Sequence, residues 1–96
     1  MPASREELAV TIDVAEWDWL RAHLERGGLI LVTAGLDLSD VGMKVAADDL
    51  AAVKELVDTG SLSKPSLDQI AAWDQHRQKL FRTLIVSPYI LFQELP

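Results

Sequence analysis

The sequence predicts a small α+β domain, residues 1–96, with four or five short helices packed on a two- or three-stranded sheet. Two observations carry this. Apolar strand-like runs stand far apart in the chain: Leu29-Ile30-Leu31-Val32, and Leu84-Ile85-Val86, which continues after Ser87-Pro88 as Tyr89-Ile90-Leu91-Phe92. Between them lies a more polar stretch whose apolar residues recur at helical spacing. Neither run is stable in water, so pairing them would close the fold around the intervening helices. A sheet this small needs those helices as cover.

The elements follow in order. Ser4 with Glu7 forms a capping box that starts a first helix, which weakens at the β-branched run Val10-Thr11-Ile12. Asp13, with Glu16 three residues on, is expected to cap a second helix bearing the stripe Trp17, Leu20, Leu24. Gly27-Gly28 ends it, and a strand runs from Leu29 to Thr33. After the turn at Ala34-Gly35, Asp37 or Ser39 caps a short helix containing Leu38, Val41, Gly42 and Val45. Asp48 is expected to begin the next helix, with Leu50, Val53 and Leu56 or Val57 as its buried side. Gly60 closes that helix and Leu62 pins the chain back to the core. Ser66 and Gln69 form another capping box, leading a helix with Leu67, Ile70 and Trp73 on its apolar face. The polar connector His76-Arg77-Gln78-Lys79 precedes the last strand region, Phe81 to Glu94. Pro88 cannot donate to a ladder, which leaves either two strands (82–86 and 89–94) or one bent strand.

Composition narrows the class of protein. There is no cysteine, so disulfides, thiolate chemistry and Cys-ligated metals are excluded. The first residues lack the shape of a signal peptide, and no apolar run approaches a membrane span. A soluble cytoplasmic protein is the expectation. The net charge is −6, with residues 1–75 at −8 and residues 76–96 at +2. A negative field repels phosphate backbones, so nucleic acid is not an expected partner.

Several segments together resemble one family. They are the aromatic-containing helix ending in Arg26-Gly27 before an apolar strand; Leu36-Asp37-Leu38 with Val41 to Ala46 and Asp48-Asp49; Gly60-x-Leu62 with Pro65-Ser66, Gln69, Ala71 and Trp73; and Val86-x-Pro88-Tyr89-Ile90-Leu91-x-Gln93. In this order, over about four-fifths of the chain, they resemble a bacterial domain-of-unknown-function family of short, cysteine-poor, free-standing proteins from proteobacteria and cyanobacteria. The resemblance implies a single-domain bacterial protein and brings no activity, cofactor, partner or functional residue with it.

No catalytic, cofactor or metal constellation stands out. Asp37, Asp40, Asp48 and Asp49 are the densest carboxylates, but their spacing fits no cation-binding loop, and Asp37 and Asp48 fall where caps are expected. His23 and His76 have no nucleophile or carboxylate placed beside them by sequence. Gly27-Gly28 precedes a strand, the reverse of a phosphate-binding loop. Trp17 and Trp19 point about 200° apart on a helix, so with Trp17 inside, Trp19 is left partly exposed as an interface anchor. In the last strand, alternation sends Tyr89 and Leu91 to one face and Ile90 and Phe92 to the other. Either the chain's own helices cover both faces, or a two-fold partner covers one of them or pairs with the strand edge.

The expected interface residues are therefore Trp19, Tyr89 and Leu91. The expected function is a non-enzymatic protein-interaction module that binds a protein partner, itself included as a homodimer. The alternatives are a regulatory domain closing on an apolar small molecule between sheet and helices, an acidic mimic of a nucleic-acid-binding surface, and an enzyme using Asp37 or Asp40 with His23 or His76.

Overall fold

The structure is a computed structural model and describes residues 11–95. The helix expected from Ser4 lies outside the described residues. Five strands and four α-helices follow: β1 (Asp13–Glu16), α1 (Trp17–His23) extended by a 3₁₀ turn (Leu24–Arg26), β2 (Leu29–Val32), α2 (Leu38–Ala46), α3 (Leu50–Asp58), β3 (Leu62–Ser63), α4 (Leu67–Asp74), β4 (Leu80–Val86) and β5 (Tyr89–Glu94). The strands form one mixed sheet in the order β1-β4-β5-β2-β3. The two runs read from the sequence meet as expected: β2 lies parallel to β5, with Leu29 opposite Ile90 and Leu31 opposite Phe92. The last region is a β4–β5 hairpin turning at Ser87-Pro88, Val86 opposite Tyr89. The α+β class holds, and no helix of the described residues is long and apolar enough to cross a membrane.

The sheet has five strands rather than two or three, because both edge strands escape pattern reading. In β1, Asp13-Val14-Ala15-Glu16, three residues are exposed and one is half-buried, so no alternating apolar face is written into it. The expected cap at Asp13 is absent: its carboxylate accepts the neighbouring Val14 amide at 2.8 Å. Helix α1 starts four residues later with no side-chain cap. Its first amides instead donate to distant carbonyls, Trp17 to Lys79 at 2.8 Å and Asp18 to Arg77 at 2.9 Å. Those tertiary bonds replace the missing cap, and no local signature could announce them. Strand β3 is two residues long, below any periodicity.

Other boundaries follow local chemistry. Asp37 caps α2 by accepting the amides of Ser39 and Asp40. Asp49, not Asp48, caps α3, accepting the Ala52 amide at 3.1 Å. Asp48 has a left-handed φ of 55° and ends the turn after α2. Ser66 and Gln69 form the expected capping box on α4. Gly28 permits a close approach: a Cβ there would lie 2.8 Å from the Pro88 carbonyl oxygen. The Ile90 amide donates to the Gly28 carbonyl at 2.8 Å, tying the hairpin to the entrance of β2.

Both faces of the sheet are packed. Val32, Leu38, Val41, Leu62, Leu84 and Leu91 form one cluster, with Val53 and Leu56 against it. Trp17, Leu20, Leu29, Trp73, Phe81 and Phe92 form the other. Leu91 and Phe92 are adjacent in β5, so the two clusters lie on opposite faces. Helices α2 and α3 cover the first, and α1 and α4 the second. The second is aromatic: Trp17 and Trp73 ring centroids are 4.9 Å apart, and Phe81 and Phe92 sit 5.5 Å apart. The indole N–H groups are satisfied at the rim, Trp17 donating to Asp74 at 2.8 Å and Trp73 to Glu94 at 3.1 Å.

Candidate functional site

Helix α3 was expected to bury Leu50, Val53 and Leu56 or Val57. It buries none of its residues completely. Val53 and Leu56 are half-buried against the core, whereas Leu50 is 73% and Val57 54% exposed. Helix α3 packs on α2 and on β3, a two-residue strand that is the last of the sheet, so little of the sheet is available to cover its apolar side. Leu50, Val53 and Val57, at i, i+3 and i+7, become one wall of a groove. The sequence stripe is correct, but periodicity alone does not say whether a stripe is covered.

The groove has a volume of about 380 Å³. Ile30 of β2 and Leu62 of β3 contribute alongside α3, Val45 comes from the end of α2, and Tyr89 from the start of β5. Asp48, Ser63 and Lys64 supply the polar groups of its lining. Tyr89, expected to face a partner, is 42% exposed.

The other expected interface residues divide. Trp19 is 41% exposed, on α1 at the opposite edge of the sheet. Its ring lies against His23, with centroids 4.3 Å apart and planes tilted by 42°, and the His23 Nδ1 lies 2.9 Å from its carbonyl. A second, more polar cleft there includes Asp13, Val14, Glu16 and Ile85. Leu91, by contrast, is wholly buried and is not a surface residue. Its strand lies between β4 and β2, so the chain's own helices cover both of its faces. Burial from within decides the alternative left open by the sequence. Tyr89 shares Leu91's face but sits at the strand's beginning, where that cover ends.

Several of the acidic residues have structural partners. Asp37 also accepts the Ser39 hydroxyl at 2.6 Å. Asp40 pairs with Lys44 at 3.2 Å, Asp58 with Lys54 at 3.0 Å, and Asp18 with Arg77 at 2.9 Å. Asp74 accepts the Trp17 indole N–H and the Arg21 guanidinium, the latter at 3.2 Å. The indole hydrogen bond first, and then the charge of Arg21, hold its carboxyl below the usual carboxylate range against the opposing effect of desolvation. Among the described residues no group of three or more His, Asp or Glu could hold a metal ion. His76 is exposed in the connector, its amide donating to the Trp73 carbonyl.

The family model "Protein of unknown function (DUF2288)" matches residues 3–94. The solution structure of PA1075 from Pseudomonas aeruginosa is similar in fold, with a TM-score of 0.80 and 30% identity over 93% of this chain and 82% of that one. No curated protein matches the chain.

Proposed function

We propose that this chain, which belongs to the DUF2288 family of proteins of unknown function, is a non-enzymatic, cytoplasmic protein-interaction module whose partner docks in the groove between α3 and Tyr89. The observation that carries this reading is the exposure of Leu50, Val57 and Tyr89 around one apolar concavity. Contiguous apolar surface of this kind marks binding sites more often than scattered surface residues do. Association by sheet extension is disfavoured at both edges. Strand β3 offers two residues, and in β1 the Asp13 carboxylate already occupies the Val14 amide. A small apolar molecule is a weaker fit, because such ligands are enclosed over most of their surface and Leu50 leaves this site open along one wall.

The test is affinity capture from native cells with the wild type and with Leu50→Ser/Val57→Ser, followed by rebinding of the purified partner. A partner recovered by the wild type, lost with the double variant and rebound in purified form is expected. Equal recovery by both chains would overturn the assignment of the groove.

A further inference from the structure

We infer that the partner in the groove is a second copy of this chain, the two copies packing face to face about a two-fold axis, an inference that rests on the docking reading above. The sheet sets the floor of the contact. Ile30, Leu62 and Tyr89 lie on the face that carries Val32 and Leu91. The chain's own helices cover that face at Leu62 and Leu91, which are buried. Tyr89 and Lys64, which follows β3 directly, stay exposed. The floor is therefore an end of the sheet that its own helices leave open.

Charge argues for a surface that matches itself. The lining carries one carboxylate, Asp48, and one ammonium, Lys64. Both are exposed, and among the described residues neither joins an ion pair. A strongly basic partner would meet Lys64 and a strongly acidic one Asp48, a like charge in either case. A second copy brings one of each sign. A two-fold axis through the groove sets Asp48 of one copy against Lys64 of the other, and does so twice. The apolar shape repeats the match. Leu50, at 73%, is the most exposed apolar side chain of the lining. The same rotation turns it toward the facing groove, so each copy supplies both a ridge and a recess.

Extent sets the strength. Lys64 also lines a smaller cleft of about 170 Å³ with Leu24, Gly27, Leu29 and Pro65, so the concave surface continues beyond the groove. The two clefts together still present fewer residues than the roughly 20–30 per side of a standard interface. The net charge of −6 on each copy opposes approach, although charges more than about 8 Å apart are largely screened at physiological ionic strength. The dimer is therefore weak, and its population follows concentration.

The experiment is sedimentation equilibrium of the full chain at physiological ionic strength. A reversible monomer–dimer equilibrium is expected, with a Kd between about 1 μM and about 1 mM. Leu50→Ser/Val57→Ser leaves the charge unchanged and is expected to weaken it by about tenfold or more. Lys64→Glu exchanges two attractions for two repulsions and is expected to weaken it by about tenfold. Asp48→Asn keeps a residue type that tolerates the φ of 55° at this position, and in its background Lys64→Glu is expected to cost little, because the facing carboxylate is gone. An equal cost of Lys64→Glu in both backgrounds would overturn the cross-pairing and the second copy with it. A wild type that stays monomeric up to about 1 mM would overturn the inference, as would a dimer left intact by Leu50→Ser/Val57→Ser. Capture from native cells separates the two levels of the argument. A monomeric wild type that still loses a different protein partner through Leu50→Ser/Val57→Ser would keep the groove as a docking site and overturn the second copy as its occupant. A monomeric wild type whose capture the double variant leaves unchanged would overturn both.

Discussion

Replacing Gly28 by alanine tests the contact that joins the hairpin to β2. The new Cβ would lie 2.8 Å from the Pro88 carbonyl oxygen, about 0.6 Å inside ordinary van der Waals contact, with the Pro88 carbonyl carbon and the Tyr89 Cα also within 4 Å. These are backbone atoms at a sheet turn, so relief requires moving the ladder rather than a side-chain tip. Overpacking of this kind costs about 1–3 kcal/mol. A stiffer unfolded chain returns about 0.4–1 kcal/mol. The net expectation is a loss of about 1–2 kcal/mol, or about 5–15 °C in Tm for a domain of this size. Urea denaturation followed by tryptophan fluorescence measures it, with the slope unchanged. Amide exchange gives the local readout: the Ile90 amide, bonded to the Gly28 carbonyl, should lose protection before the core of β4 does. Gly27→Ala serves as a control, since its cost comes from a φ of +79° with open space around the Cβ, and it should leave Ile90 protected. Stability of Gly28→Ala equal to or above wild type would refute the close-approach argument.

Two further outcomes follow from burial and charge. Leu91→Asp places a carboxylate where the side chain is wholly buried, so it should abolish cooperative folding rather than alter partner binding; a folded, dispersed NMR spectrum would contradict the packing described. For Asp74, the carboxyl is held below its ordinary value in the folded state. The stability this confers is therefore fully present above about pH 4, near the unfolded carboxylate value, and is lost as pH falls through the folded value. Asp74→Asn should lower stability at neutral pH, and its difference from wild type should shrink as pH drops below about 4. A pH-independent difference would show that the ion pair and the indole bond contribute nothing through the charge.

The legible parts of the fold were those written in local chemistry. The stretches Leu29–Val32 and Tyr89–Glu94 declare themselves by continuous hydrophobicity, and their pairing follows because each needs cover. Caps at Asp37 and Ser66 are side-chain events within a few residues of the helix start. Strand β1 was not legible, because its sequence mimics a helix cap and its pairing with β4 is decided some 70 residues away, Asp13 opposite Thr83. The expected surface role of Leu91 failed for a related reason. Residues Tyr89 to Phe92 read as one apolar run, and only the strand order places Leu91 under α2 while Tyr89 reaches the open end. The sequence pattern reads Leu50 and Val57 as buried, since a stripe at i and i+7 looks the same whether or not another element covers it.

The groove's own energetics constrain the kind of association it supports. Complete burial of a leucine or valine side chain is worth about 1.5–3 kcal/mol. Leu50 and Val57 are already partly covered, so closing over their exposed 73% and 54% supplies roughly 2–4 kcal/mol between them. Association costs about 4–15 kcal/mol in lost freedom, so these two residues do not hold a partner unaided. The balance must come from Tyr89, 42% exposed in the same groove, and from groups of the partner itself. The cleft beside Trp19 is less favourable. Docking there would strip water from Asp13 and Glu16, and the indole already spends one face on His23. On the docking reading proposed above, weak and reversible association is therefore the expectation for this groove.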